Sequence, residues 1–164
     1  MGQLSQILIE MFEEESNQAR FVLAAAKDAD LNFSPYDGMR SLLDLANHLA
    51  QIPMIDFKFY SKEFEIFEQV QEYEKNLHRS DIPGLLSVFD EGVQYLKKQI
   101  ENLSDNEILE KKLKAFYEQG EESNWAHYIP EITTHLAMHK MQLWMFLKLS
   151  GVPVSMWTYY GVPK

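Results

Sequence analysis

The chain has 164 residues, 46% of them apolar, 13% aromatic and 24% charged, which excludes a disordered protein and supplies the core of one ordinary domain. A net charge of −10 with no basic stripe leaves nothing to displace counterions from a polyphosphate, so no nucleic-acid partner is expected. There is no cysteine, which excludes a disulfide framework and a thiolate metal site; any thiol chemistry must draw its thiol from a substrate.

The segment Met1 to Gln6 lacks the basic flank and small-residue cleavage site of a secretion signal and reads as the first turn of a helix. That helix is predicted over residues 3–27 from apolar Leu4, Ile7, Leu8, Met11, Val22, Ala25 and Ala26 at three-and-four spacing. Glu13, Glu14 and Glu15 interrupt it as a solvated face, although Glu15 is in phase with Met11 and Val22 and leans inward. Asn32 to Gly38 is dense in turn formers and reads as a loop, after which Ser41 and Asp44 have capping-box spacing. The second helix, Ser41 to Ile52, buries Leu42, Leu45, Leu49 and Ile52, with His48 in the same stripe; Pro53 then kinks or restarts it.

Phe57, Tyr60, Phe64, Phe67 and Val70 continue a helical rhythm through the acidic stretch up to Glu74. Ser80, Asp81 and Pro83 begin a third long helix that buries Leu85, Leu86, Phe89, Val93, Leu96 and Ile100 and ends near Leu103. Ser104 and Glu107 form another capping-box pair, starting a short helix through Leu113, and Gly120 to Tyr128 reads as a loop. Pro130 fits the first turn of the last long helix, which ends at Gly151 before Pro153. The uncharged stretch Leu149 to Pro163 is interrupted by glycines and prolines and is too short to span a bilayer, so no membrane partner is expected. Its aromatic part, Val152 to Gly161, packs back on the bundle or onto a second subunit. Together these elements predict an all-α chain: one domain, residues 1–164, built as a four-helix bundle with a short extra helix and a C-terminal aromatic tail.

Chemistry concentrates in the histidines. His135 and His139 are four residues apart and therefore project from the same face of the last helix, the spacing of a bidentate metal site. His48 offers a third imidazole from another helix, and three such ligands with an open position make a catalytic rather than a structural site. On spacing alone a second reading stands beside it: His48 as a hydrogen-bonded core residue, and the pair as neighbours with nothing between them. His78 and His127 fall in loops and default to solvent, His127 close to the mouth of any site on the last helix. No histidine has a glutamate three residues before it, which disfavours a carboxylate-bridged di-iron bundle. Leu136 occupies the place of the glutamate that a zinc-protease helix needs. Met138, Met141 and Met145, beside Trp144 and Phe146, read as core and packing residues.

The order of these residues, His48 within Leu45 to Ala50, then His135, His139, Gln142, Leu147, Gly151 and Pro153, resembles the DinB-like superfamily over essentially the whole chain. This superfamily comprises DNA-damage-inducible four-helix-bundle proteins related to metal-dependent thiol S-transferases of the YfiT and bacillithiol-transferase type. The resemblance implies a divalent ion, zinc or nickel, on His48, His135 and His139, and a low-molecular-weight thiol as cosubstrate. It further implies a small-molecule substrate and a homodimer, while the absence of cysteine fits a cytoplasmic location. Lys140 and Met141 stand where the family has Arg and Gly, and Met141 narrows whatever approaches that turn. A hydrolase using the same ligands, and a non-catalytic bundle acting as a stress-related interaction protein, remain alternatives.

Overall fold

The computed structural model describes residues 2–162. In chain order the helices are α1 (Gln3–Ala24), α2 (Leu42–Tyr60), α3 (Phe67–Leu77), α4 (Ile82–Glu101), α5 (Asp105–Glu110), α6 (Trp125–Leu149) and α7 (Met156–Tyr159), with a 3-10 turn at Ala25–Asp28. The four long ones, α1, α2, α4 and α6, make the bundle: α2 and α1 each pack against both α4 and α6 and lie diagonally across the core from one another. Side-chain pairs fix the directions. Tyr60 with Glu131 and Asp56 with His135 make α2 antiparallel to α6, while Glu13 with Lys97 and Arg20 with Asp90 do the same for α1 and α4. Gly92 lies against Pro53 and Phe57 against Tyr95, so α2 and α4 run parallel. Parallel neighbours cannot be joined by a tight turn. The segment from Ser61 to Asp81, carrying α3, makes the return crossover.

Local signals account for most helix starts. Ser41 and Asp44 form the expected capping box, as do Ser104 and Glu107, and Asp81 caps α4 through Gly84 N–H at 2.8 Å. The start of α1 has no cap of its own. Its free Leu4 and Ser5 N–H groups donate to Asp105 Oδ1 at 3.0 and 3.2 Å, a carboxylate from α5 placed at the positive end of the helix dipole.

Four expectations are corrected. First, of the kink or restart expected at Pro53 the restart does not occur: α2 runs on to Tyr60, the missing donor being tolerated where Pro53 is buried against Gly92. Second, α6 begins at Trp125, so His127 and Tyr128 are helical and Pro130 lies one turn further in; Asn124 caps the helix by accepting from His127 N–H at 3.2 Å. Trp125 stacks on Phe57 at 4.5 Å and Tyr128 on Tyr60 at 4.0 Å, which pins this early start to α2. Third, α5 ends at Glu110, and Leu113 pairs with Ser123 through two backbone hydrogen bonds of 2.9 and 2.8 Å that close the following loop. Fourth, Met138, Met141 and Met145 are largely exposed rather than core.

The buried face of α1 is also turned from the expected one. Ile9 and Phe12 fill the core while Ile7 and Met11 face solvent, because the ring of Phe12, the larger side chain, takes the interior position. Leu42, Leu45, Leu49 and Ile52 of α2 are buried as expected. Lys140 is 2% exposed and anchors the tail: its Nζ meets Glu15 Oε1 at 2.8 Å and Gln18 Oε1 at 2.6 Å, and lies over the Tyr159 ring at 4.1 Å. Glu15 thus leans inward as its phase indicates. Trp144 Nε1 donates to Ser155 O at 3.0 Å, completing the seat of the tail on α1 and α6. No helix among the described residues is long and apolar enough to cross a membrane.

Candidate metal centre

α2 and α6 bring His48, His135 and His139 together, with one ring nitrogen of each within 4.8 Å of the others. His48 Nε2 lies 3.1 Å from His139 Nε2. Ring centroids are 5.3 Å apart for His48 and His135, 4.4 Å for His48 and His139, and 4.8 Å for His135 and His139. The antiparallel α2/α6 contact produces this convergence: one turn of α6 carries the pair, and His48 meets it from the facing helix.

Partners on the outer nitrogens orient two of the rings. His135 Nδ1 donates to Asp56 Oδ2 at 2.6 Å, and His139 Nδ1 donates to Gln142 Oε1 at 2.8 Å. Each bond places the proton on Nδ1 and leaves Nε2 with a free lone pair, that of His139 facing His48 Nε2, the arrangement in which metal-binding imidazoles are held. Among the described residues His48 has no such partner and is half-buried. Ligand nitrogens about 2.0–2.1 Å from a tetrahedral ion lie roughly 3.3 Å apart, close to the observed 3.1 Å separation of the two Nε2 atoms. The donor set, nitrogen only and free of thiolate and carboxylate, fits a divalent transition-metal ion.

The local field keeps two imidazoles neutral. Burial, then the charges of His139, Arg40 and His135, push His48 down to about 3. Burial also lowers His139, against the opposing bond to Gln142. His135 moves the other way, raised by its bond to Asp56, while burial raises Asp56 itself.

The imidazoles of His48 and His135 form part of the wall of a cavity of about 520 Å³. The rest of its wall includes the aromatic side chains of Phe59, Tyr60, Phe67 and Tyr117 and the acidic ones of Asp56, Glu74 and Glu131, together with Ile52, Ile55 and Met138. Tyr60 Oη donates to Glu131 Oε1 at 3.1 Å, and burial holds the phenols of Tyr60 and Tyr117 well above their ordinary pKa, so both stay protonated donors. His78 is exposed and apart from the cluster; His127 reaches the cavity only through Glu131, which its Nε2 meets at 3.3 Å.

Asp56 was not among the residues read from the sequence. Its signal was available: it is the one carboxylate between Asp44 and Glu63 in an otherwise apolar run. Tyr60, Tyr117 and Glu131 carried no comparable signal, since only the packing of three separate segments brings them to one cavity.

No family model matches the chain, and no curated protein matches it in sequence. Solved structures do match. The crystal structure of a candidate member of the DinB family from Exiguobacterium sibiricum is similar over 94% of this chain and 97% of that one, with a TM-score of 0.73 and 20% identity. The similarity covers all four bundle helices, and the chain has the DinB-like helical-bundle fold.

Proposed function

We propose that this protein is a divalent-metal-dependent transferase acting on a small-molecule thiol, with His48, His135 and His139 as the metal ligands. The observation that carries the reading is the convergence of three imidazoles from two helices, two of them aimed by Asp56 and Gln142, with His48 and His135 on the wall of a cavity sized for a small molecule. When bound, a divalent ion with an open position lowers the pKa of a thiol and keeps it ionised at neutral pH. The remaining work falls to this chain. Asp56 and Gln142 fix the ring tautomers, the aromatic wall of Phe59, Phe67 and Tyr117 offers an electrophilic substrate an apolar face, and Tyr117 offers a proton to charge developing on it. The sulfur lone pair forms the new carbon–sulfur bond, the leaving group departs with its bonding pair, and the thiol proton passes to solvent or to Glu131.

The protein is further read as a homodimer. Pro35, Met39, Met145, Phe146 and Leu149 line an apolar groove beside His139 on the outer side of α6, with Met39 50%, Met145 49% and Leu149 62% exposed. A contiguous apolar surface of this kind is uncommon on a monomer.

Elemental analysis of untagged protein, repeated on His139→Ala, tests the metal reading. We expect one equivalent of metal in the wild type, and its loss in the variant with the helical circular dichroism retained. A wild-type protein that binds no added zinc or nickel would overturn the proposal.

A further inference from the structure

The cavity beside the three imidazoles has a chemistry of its own. Four aromatic side chains line it, and among the described residues neither a lysine nor an arginine does. Phe59 and Tyr117 stand at 87° with centroids 5.2 Å apart, while Phe67 lies 21° from Tyr117 at 6.1 Å, so rings in two near-perpendicular orientations border one space. Three carboxylates share the wall, and two are engaged: Asp56 with His135, and Glu131 with Tyr60 Oη and His127 Nε2. Glu74 is different. Gln51, 6% exposed, donates from Nε2 to the Glu74 backbone oxygen at 3.3 Å and so ties this turn of α3 to α2. Among the described residues the Glu74 carboxylate and Gln51 Oε1 make no hydrogen bond or ion pair, which leaves two acceptors on the wall without a donor. Burial raises the Glu74 carboxyl above its ordinary range, against a smaller opposing influence of Arg40 in the neighbouring cavity. A divalent ion on the imidazoles would set two positive charges against three carboxylates, so the wall stays negative with the centre loaded.

We propose that this cavity binds an organic cation, a small molecule carrying a protonated amine on an apolar or aromatic body, with Glu74 and Gln51 as the acceptors of its N–H groups. An ammonium is drawn to the negative face of an aromatic ring, and more strongly once it leaves water. Its hydrogen bond to a carboxylate is charge-assisted, about twice as strong as a neutral one. An anion of the same shape meets like charge and finds no cationic partner, so the wall selects against it. The identity of this cation as the electrophilic partner of the thiol rests on the transferase reading above; the preference for positive charge does not.

The test titrates the full chain, with and without added zinc, with 2-phenylethylamine, 2-phenylethanol and 3-phenylpropionate at pH 7 in a calorimeter. The three probes are similar in shape and are cationic, neutral and anionic at that pH. In the wild type we expect the amine to bind about tenfold more tightly than the alcohol, the scale of one cation–π or charge-assisted contact, and the propionate to bind most weakly. Glu74→Gln, nearly the same shape, should bring the amine to the affinity of the alcohol and leave the alcohol unchanged, which also shows the cavity intact. Phe67→Leu, at a ring 56% exposed, leaves the core untouched and should weaken the amine more than the alcohol. Equal affinity for amine and alcohol, tighter binding of the propionate, or a preference for the amine that survives Glu74→Gln would each overturn the inference, the last by placing the amine on the metal instead. Zinc content of the same samples separates the two readings. Bound zinc without a preference for the amine ends this inference and leaves the transferase reading standing; a preference in protein that takes up no zinc sustains the cation site and ends the metal reading.

Discussion

Asp56 governs the behaviour of His135. Its carboxylate holds the ring in one tautomer and raises the proton affinity of the imidazole, so a metal ion must compete with protons there first. His48, held near 3, and His139, also lowered, are already neutral at physiological pH. Because only the neutral ring ligates, affinity for zinc should fall as pH drops through the raised pKa of His135, above its ordinary 6.5. In Asp56→Asn the raising influence is gone, so the acid loss should move to lower pH. At pH 8 the variant should bind zinc about 10–100-fold more weakly, because the ring loses basicity and orientation. Competition with a chromophoric chelator across pH 5–8 measures both; an unchanged profile would show that Asp56 does not act through His135. The three histidines were legible because residue type and spacing alone single them out. Tyr117 was not, since only the packing of separate segments brings it to the cavity.

Pro53 and Gly92 belong to the scale of whole helices. Proline removes a donor from α2, and glycine is a poor helix former in the middle of α4, so each looks like a local defect. Together they let two parallel helices approach closely: a Cβ on Gly92 would lie 3.3 Å from both Pro53 Cβ and the Met54 backbone nitrogen. Helix propensity alone would make Gly92→Ala stabilising by about 1 kcal/mol. Here we expect the opposite sign, a loss of about 1–3 kcal/mol from overpacking, read from the midpoint of urea unfolding. An unchanged or higher midpoint would show that α2 can move aside. The four long helices were legible from apolar spacing and capping boxes; α7 was not, nor was the break at residues 61–66 that separates α2 from α3. Two boundaries were misjudged where tertiary contacts decide: stacking on Phe57 and Tyr60 draws Trp125 and Tyr128 into α6, and pairing with Ser123 takes Leu113 out of α5. Met138, Met141 and Met145 were assigned inward from apolar character, which cannot tell a core face from a face that a second molecule covers.

Charge and exposed apolar surface oppose each other in the molecule as a whole. Each chain carries a net charge of −10, so two copies repel, and a dimer must recover that cost from the groove around Met145 and Leu149. We therefore expect sedimentation velocity to show a dimer that tightens as salt screens the repulsion, and Leu149→Glu to sediment as a monomer with its melting curve little changed. A wild-type monomer at micromolar concentration would remove the homodimer from this account. The overall architecture was readable without coordinates because four amphipathic segments have few ways to bury their faces. Which helices are diagonal and which adjacent was not, since periodicity carries no information on neighbours.

The return crossover is the feature with the widest consequence. Two parallel neighbours oblige the chain to travel back along the bundle between α2 and α4, and the segment that does so places Phe67 and Glu74 in the cavity wall. A topological requirement and part of the cavity wall therefore occupy the same stretch of residues. Exchange or lengthening of this stretch would redraw the space offered to a substrate while leaving His48, His135 and His139 as they are. One scaffold with a constant centre can in this way diversify its chemistry by replacing a single connector.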